Sequence, residues 1–379
     1  MTTASISLKY LLDGQFEYMS KQGYEVITIS APGKEIEQVR EAGIEHIAVD
    51  LSRTINPISD LKSLFKLIRI FRITKPEIVH THTPKAGLLG MLAAMICRVK
   101  HRIHTVAGLP HITMNGWKRF LLTTTERLTY YAANYVCPNS QGLLDYIVSN
   151  KLCRTEKLKI IGYGSSNGID LNRFTEKKLD AKKLELIKRS LNFEDDVFYF
   201  IAIGRLVKDK GIVELIAAFK SINKSYPNTK LILCGDYEEV RKEEALDEEI
   251  SKEINTHEGI IHVGWTDYVE YYLKLANVLI HASYREGFPN VLLQAGAMKC
   301  PIICSEITGN ADIVRDRETG LLFTCARTHE LIAKMGFAIN NPLLLEELAN
   351  KLAEEVQERY NRTFVHQQIY NFYNSISRE

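Results

Sequence analysis

Two segments in the second half of the chain set cations and a carboxylate at turns where an anionic ligand could be held. In FIAIGRLVKDKGIVELI, residues 200–216, an apolar run ends at Gly204, a polar loop follows, and an amphipathic stretch begins near Gly211. Arg205 and Lys210 therefore flank a strand-to-helix turn. A guanidinium offers a planar fork and an ammonium a point charge, and beside the open N–H groups of a helix start the two suit a diphosphate. Residues 281–314, HASYREGFPNVLLQAGAMKCPIICSEITGNADIV, repeat this grammar. A strand runs to Ala282, a loop carries Glu286 and Gly287, and Pro289 opens a helix at a position where its missing N–H costs little. Gln294 lies two turns into that helix on nearly the face of Glu286, and Gly309 and Asn310 make a further turn before Asp312. Taken singly, each feature reads equally as a solvated surface loop or as a favourable helix-dipole partner.

The first half offers histidines. EIVHTHTPKAGLLG, residues 77–90, is a strand ending in His80 and His82, then a loop with Lys85 leading into a helix. Residues i and i+2 of a strand share a face, and His101 and His104 follow, so a four-histidine metal site is worth weighing. It is set aside, because the spacing matches no zinc pattern and no carboxylate is evident to fix the imidazole rings.

The elements that must position these residues follow from the apolar pattern. Short apolar runs alternate with amphipathic stretches, which is the signature of parallel sheets with crossover helices. Strands are expected at 24–30, 44–50, 77–82, 102–106, 135–138 and 158–161, and then at 197–204, 230–235, 260–264, 278–282 and 301–305. The charged, strand-free stretch 175–196 separates the two sets. The expected domains are 1–174, 175–357, and a terminal helix 358–379 that packs back on the first domain. The stretch 62–75 interleaves bases with large apolar residues, and a helix packed on the sheet is favoured there over a membrane-surface helix. Residues 116–122 are the better candidate for touching a bilayer.

The bulk numbers fit a soluble two-domain protein: 379 residues, 25% charged and 45% hydrophobic. No run is long and apolar enough to span a bilayer, and the start lacks the features of a signal peptide, so a cytoplasmic location is expected. The scattered cysteines, without a CxxC pair, predict neither disulfides nor zinc. A net charge of +2 conceals about +7 on residues 1–170 and about −5 on the rest, and a basic first half can attract an anionic partner or a membrane surface.

In combination, G-R-L-x-x-x-K-G at 204–211, E-G-F-x-x-x-x-x-Q at 286–294, the Pro-led strand and the G-x-x-D-x-V turn resemble the retaining GT-B glycosyltransferases of the GT4 group, most nearly those building bacterial capsule or O-antigen units. The resemblance spans nearly the whole chain. It implies an α/β fold of two facing Rossmann-like domains with parallel sheets. It also implies transfer of a sugar from a nucleoside-diphosphate donor, expected to be UDP-linked, to a hydroxyl of a glycan or polyprenyl-diphosphate-linked acceptor. Arg205, Lys210 and Glu286 would be catalytic, the cations neutralising the leaving diphosphate and the carboxylate bonding the donor sugar. Gly204, Gly287, Phe288, Asn290 and Gln294 would bind the donor, with the base near the loops after Gly235 and Gly264. Lys85, His82 and His111 would lie on the acceptor side.

Departures accompany the resemblance. Gln294 stands where a ribose-binding Glu is usual, and Ala107 where a His lies near the reacting hydroxyl, leaving His111 or His82 to serve instead. His104, on the opposite strand face from Ala107, does not inherit that role. No DxD triad is present, so neither a metal nor another cofactor is expected. The partners expected are the donor, the acceptor and the cytoplasmic face of the inner membrane, and no nucleic acid. The family's first buried strand has no counterpart before TTASISLKYLLDGQF, so the sequence is expected to be N-terminally truncated. Rival readings are a GT-B epimerase or hydrolase and a degenerate sugar-nucleotide-binding subunit. A nicotinamide oxidoreductase is weaker, because no GxGxxG follows a first strand.

Overall fold

In the computed structural model, which describes residues 1–52, 56–237 and 244–378, the short apolar runs become strands and every pairing between strands is parallel. The chain divides into two units, Met1–Gly168 with Arg362–Glu379, and Ile169–Asn361. These limits lie a few residues from the expected 174/175 and 357/358. The reason is local: the Ile169 N–H donates to the Tyr360 carbonyl at 2.8 Å, and Ile169 and Phe174 share a core cluster with Phe288 and Tyr360.

In the first unit, β1 (Ile27–Ser30) pairs with β2 (Glu45–Ala48), while β3 (Ile78–Thr81), β4 (His101–Val106) and β5 (Tyr135–Pro138) form a separate sheet in that order. The backbone of residues 1–3 is hydrogen-bonded to both sheets. Thr2 N–H donates to Ile29 O at 3.0 Å, and His82 N–H donates to Met1 O at 3.1 Å. Residues 158–161, expected as a strand, make a single bridge, Val136 to Leu158. Helix Pro57–Thr74 starts at Asn56, whose side chain accepts from Ser59 N–H, with Pro57 in the first turn. It packs through Leu67, Ile68 and Phe71 and leaves Ile58, Leu61, Phe65 and Ile73 in solvent. Helix Arg362–Ser377 buries Val365, Ile369, Tyr373 and Ile376, at helical spacing, against Met19, Ile103 and Cys137 of this unit.

The second unit has one six-stranded sheet. Its strands are β6 (Phe198–Ile203), β7 (Thr229–Cys234), β8 (Ile260–Gly264), β9 (Val278–His281), β10 (Ile302–Ser305) and β11 (Leu321–Phe323), in the order β11-β10-β9-β6-β7-β8. The three-residue β11 is too short to stand out by periodicity and was not expected. β6, β9 and β10 are buried on both faces, as Phe200, Ile201, Leu279 and Ile303 illustrate.

Candidate active site

The strand order of the second unit decides where chemistry can occur. From β6 the chain winds outward through β7 and β8, then returns to β6's other side for β9, β10 and β11. The winding reverses between β6 and β9, and beyond the carboxyl ends of two such strands lies the crevice that open α/β sheets use for ligands. Gly204 and Arg205 follow β6 there, and His281 closes β9, with Ala282 through Glu286 following it.

Gly211 brings the two turns together. It closes the tight turn Lys208–Lys210 at φ 67°, and a Cβ on it would stand 2.2 Å from the Ala282 carbonyl oxygen. That close approach sets Lys210 beside Glu286, and Lys210 Nζ pairs with Glu286 Oε1. His281 Nε2 reaches the same oxygen at 3.0 Å. Burial opposes ionisation of Glu286, but the Lys210 ammonium and the His281 hydrogen bond outweigh it and hold the carboxyl well below the usual carboxylate range. An ionised carboxylate can only accept, so His281 Nε2 carries the proton.

Arg205 Nη1 contacts Glu244 Oε2 at 3.3 Å. Glu244 also meets Arg285 Nη2 at 3.4 Å, and Arg285 Nε donates to Asp209 Oδ2 at 2.8 Å. The two turns are thus laced by charge as well as by backbone, since Tyr284 N–H donates to Asp209 O at 2.8 Å. Gly204, Arg205, Lys210 and His281 line one pocket.

The remaining expected donor groups lie on other loops and a helix of the same unit. A Cβ on Gly309 would lie 2.5 Å from Gly287 O, so the Gly309 turn presses on the Glu286 loop, and Asn310 ties it down through Nδ2 to Ser305 O at 2.9 Å. Phe288 is buried with its ring 5.2 Å from that of Tyr360. Asn290 is the first residue of helix Asn290–Ala297; Pro289 is its N-cap, and no side chain caps it. Gln294 is half-buried on that helix. Gly235 at the end of β7 lies against Gly204, and Gly264 ends β8 where Asp236 Oδ1 accepts from Trp265 N–H at 3.0 Å. Residues 238–243 of the loop after Gly235 lie outside the described residues.

In the first unit the three acceptor-side residues have different neighbours. Lys85, in the first turn of helix Pro84–Ile96, pairs with Asp60 at 2.7 Å. His82 is buried and stacks on His80 with centroids 4.0 Å apart, and its Nδ1 is buried without a partner. Burial pushes its imidazole well below the ordinary value, so the ring is neutral. His111, in the turn Pro110–Thr113, is buried near Tyr146 and also has an unpartnered Nδ1. Two of the clustered histidines bind hydroxyls: His80 holds Tyr373 at 2.6 Å and Thr105 at 2.7 Å, and His104 holds Thr81 at 2.8 Å.

Residues 183–359 match the family described as glycosyl transferases group 1, and residues 8–140 the family described as glycosyl transferase 4-like. The capsular polysaccharide biosynthesis glycosyltransferase CapM of Staphylococcus aureus is 34% identical over 100% of this chain and 97% of its own. The chain belongs to the group 1, GT4-like glycosyltransferases. A second relative, the Escherichia coli UDP-Gal:alpha-D-GlcNAc-diphosphoundecaprenol alpha-1,3-galactosyltransferase, is 26% identical over 84% of this chain and 83% of its own. Anabaena HepE, solved in complex with UDP, superposes with a TM-score of 0.79 at 18% identity, covering 99% of this chain and 98% of its own, so the fold is GT-B.

In this glycosyltransferase, Asp209, Glu244, His281 and Arg285 join the expected residues around the two turns. None was singled out from sequence. For His281 a signal existed, a polar side chain closing the apolar run VLIH, but its partner is identifiable only once β9 lies beside β6.

Proposed function

We propose that this glycosyltransferase moves a sugar from a UDP-linked donor, with retained anomeric configuration, to a hydroxyl of a polyprenyl-diphosphate-linked acceptor. The observation that carries this reading is the convergence of Arg205, Lys210 and Glu286 at the winding reversal between β6 and β9. Negative charge grows on the diphosphate as the sugar leaves, and fixed cations stabilise it by several kcal/mol. Arg205 and Lys210 supply that charge from side chains, so turnover is expected to persist in EDTA. Glu286 accepts from a sugar hydroxyl, and the N–H groups at the start of helix Asn290–Ala297 meet phosphate or sugar oxygens. No carboxylate is assigned as a nucleophile, and the leaving phosphate takes the proton of the attacking hydroxyl on the same face of the sugar.

The names of two comparison proteins support the finer choices: the E. coli relative is named for a UDP-galactose donor and a diphosphoundecaprenol acceptor, and HepE was solved with UDP. The acceptor reading adds the neutral His82, or His111, as the group near the reacting hydroxyl, and Lys85 as a cation for an anionic acceptor. It also implies work at the cytoplasmic face of a membrane. Trp117 and Phe120 on helix Gly116–Ala132 are 69% and 75% exposed beside Lys118 and Arg119, an arrangement suited to an anionic bilayer surface.

The test is calorimetric titration with UDP, GDP and ADP, followed by NMR of the product formed from the matching sugar donor and a polyprenyl-diphosphate glycan, with and without EDTA. An α-linked product from an α-linked donor is expected. An inverted product, or sugar release with no acceptor, would overturn the reading.

A further inference from the structure

The two contacts on Glu286 converge on one oxygen. Lys210 Nζ and His281 Nε2 both meet Oε1, and they differ in how firmly they are held. Lys210 carries its ammonium on a flexible four-carbon stem from a turn, and its side chain is 24% exposed. His281 sits on β9 itself, 6% exposed, in register with Cys304 of β10. We propose that His281 is a positioning residue that keeps Glu286 ionised and aimed when a donor diphosphate draws Lys210 away. The inference rests on the donor-site reading above.

A diphosphate beside Arg205 competes with Glu286 for the Lys210 ammonium, since Arg205 and Lys210 line the same pocket. Once Lys210 turns to the phosphate, a largely buried carboxylate loses its counter-charge, and an uncompensated buried charge is strongly unfavourable. Arg285, the neighbour of Glu286 in sequence, cannot substitute, because Asp209 and Glu244 already hold its guanidinium. Tyr284 is engaged with Glu214. His281 alone among these neighbours already donates to Oε1 and needs no movement to continue. Nucleotide binding then moves one cation from carboxylate to phosphate while the hydrogen bond from His281 stays.

The experiment titrates the wild type with UDP, GDP and ADP and carries the tightest of the three into His281→Leu and His281→Gln, each made with Lys210 present and with Lys210→Met. With Lys210 present, His281→Leu should weaken nucleotide binding about tenfold, and His281→Gln, whose amide can donate from nearly the same point, should restore most of it. In the Lys210→Met background no ammonium is transferred, so His281→Leu should cost less than about twofold in affinity. Equal losses in both backgrounds, or no rescue by Gln, would assign His281 a merely structural role. Unchanged affinity in His281→Leu would likewise end the proposal. If the wild type, while remaining folded, binds none of the three nucleotides, or binds one with an affinity that Arg205→Ala leaves unchanged, the donor-site reading itself fails; an affinity lost in Arg205→Ala without the His281 pattern above is failure of the transfer alone.

Discussion

Arg205 and Lys210 each rest on a carboxylate, Glu244 and Glu286 respectively, and an anionic ligand must compete with both. In the proposed reaction, truncating either cation removes stabilisation that matters most as the diphosphate departs. Arg205→Ala and Lys210→Ala should each lower kcat/KM by at least about tenfold while the melting temperature stays within a few degrees for Arg205→Ala. Near-normal turnover in both would remove these residues from the mechanism. Gln294 makes a different case. Its amide can accept from one hydroxyl and donate to another, but lacks the charge-assisted bonds of a carboxylate. Gln294→Glu should therefore tighten nucleotide binding modestly, roughly two- to fivefold; calorimetry showing no gain would mean that Gln294 serves another contact. At this scale the turns that carry Arg205, Lys210 and Glu286 were legible because each lies in a short segment whose own pattern announces a strand-to-helix turn. The counter-ions Glu244 and Asp209 were not, because both are ordinary loop residues until the fold brings them against Arg205 and Arg285.

The turn Lys208–Lys210 works as an element only because Gly211 ends it. At φ 67° and 2.2 Å from the Ala282 carbonyl, an added Cβ strains the backbone and forces the turn away from β9. Gly211→Ala should cost about 1–3 kcal/mol and reduce activity through displacement of Lys210, measurable as a joint drop in melting temperature and kcat. A variant as stable and active as the wild type would show that the turn relaxes freely. The strands of the first unit carry a second, titratable property. Burial lowers His104 on β4 from its ordinary 6.5 to about 4, and also holds His80 on β3 and His82 just after it well below the ordinary value. These rings stay neutral in the folded chain while the unfolded chain takes up protons below about pH 6.5. Stability is therefore fully present above that value and falls as pH drops toward 4, by up to about 1.4 kcal/mol per pH unit for each such histidine. Thermal melts between pH 7.5 and 5 should follow that slope, and a flat profile would contradict the buried neutral state. Among the elements, β11 escaped prediction because three residues carry no period, and 158–161 was over-read because an apolar run that only bridges β5 resembles a strand in isolation.

Across the whole molecule, the basic charge excess lies in residues 1–170, which also hold the exposed Trp117 and Phe120. Helix Pro57–Thr74 adds exposed Ile58, Leu61 and Phe65 together with Lys62 and Lys66. Its inner face packs and its bases are solvated as the sequence led one to expect, but its outer face also leaves apolar groups in solvent, which the packed-helix reading did not anticipate. Vesicles containing anionic lipid should therefore sediment the protein, with binding reduced several-fold by Trp117→Ser/Phe120→Ser and by raised salt. Equal sedimentation with neutral and anionic vesicles, or no effect of the double substitution, would separate this surface from membrane contact.

By itself the sequence determined the α/β class, the parallel pairing, and the turns on which Arg205, Lys210 and Glu286 lie, because alternation of apolar runs, glycine positions and helix starts are properties of a few neighbouring residues. Only the tertiary structure decided that β6 and β9 are adjacent, that His281 shares Glu286 Oε1 with Lys210, that Arg205 and Arg285 meet at Glu244, and that residues 1–3 are hydrogen-bonded to both sheets of the first unit. Strand order is a long-range outcome: many parallel arrangements satisfy the same local pattern, and the packing of the whole sheet selects the one that sets these side chains against each other.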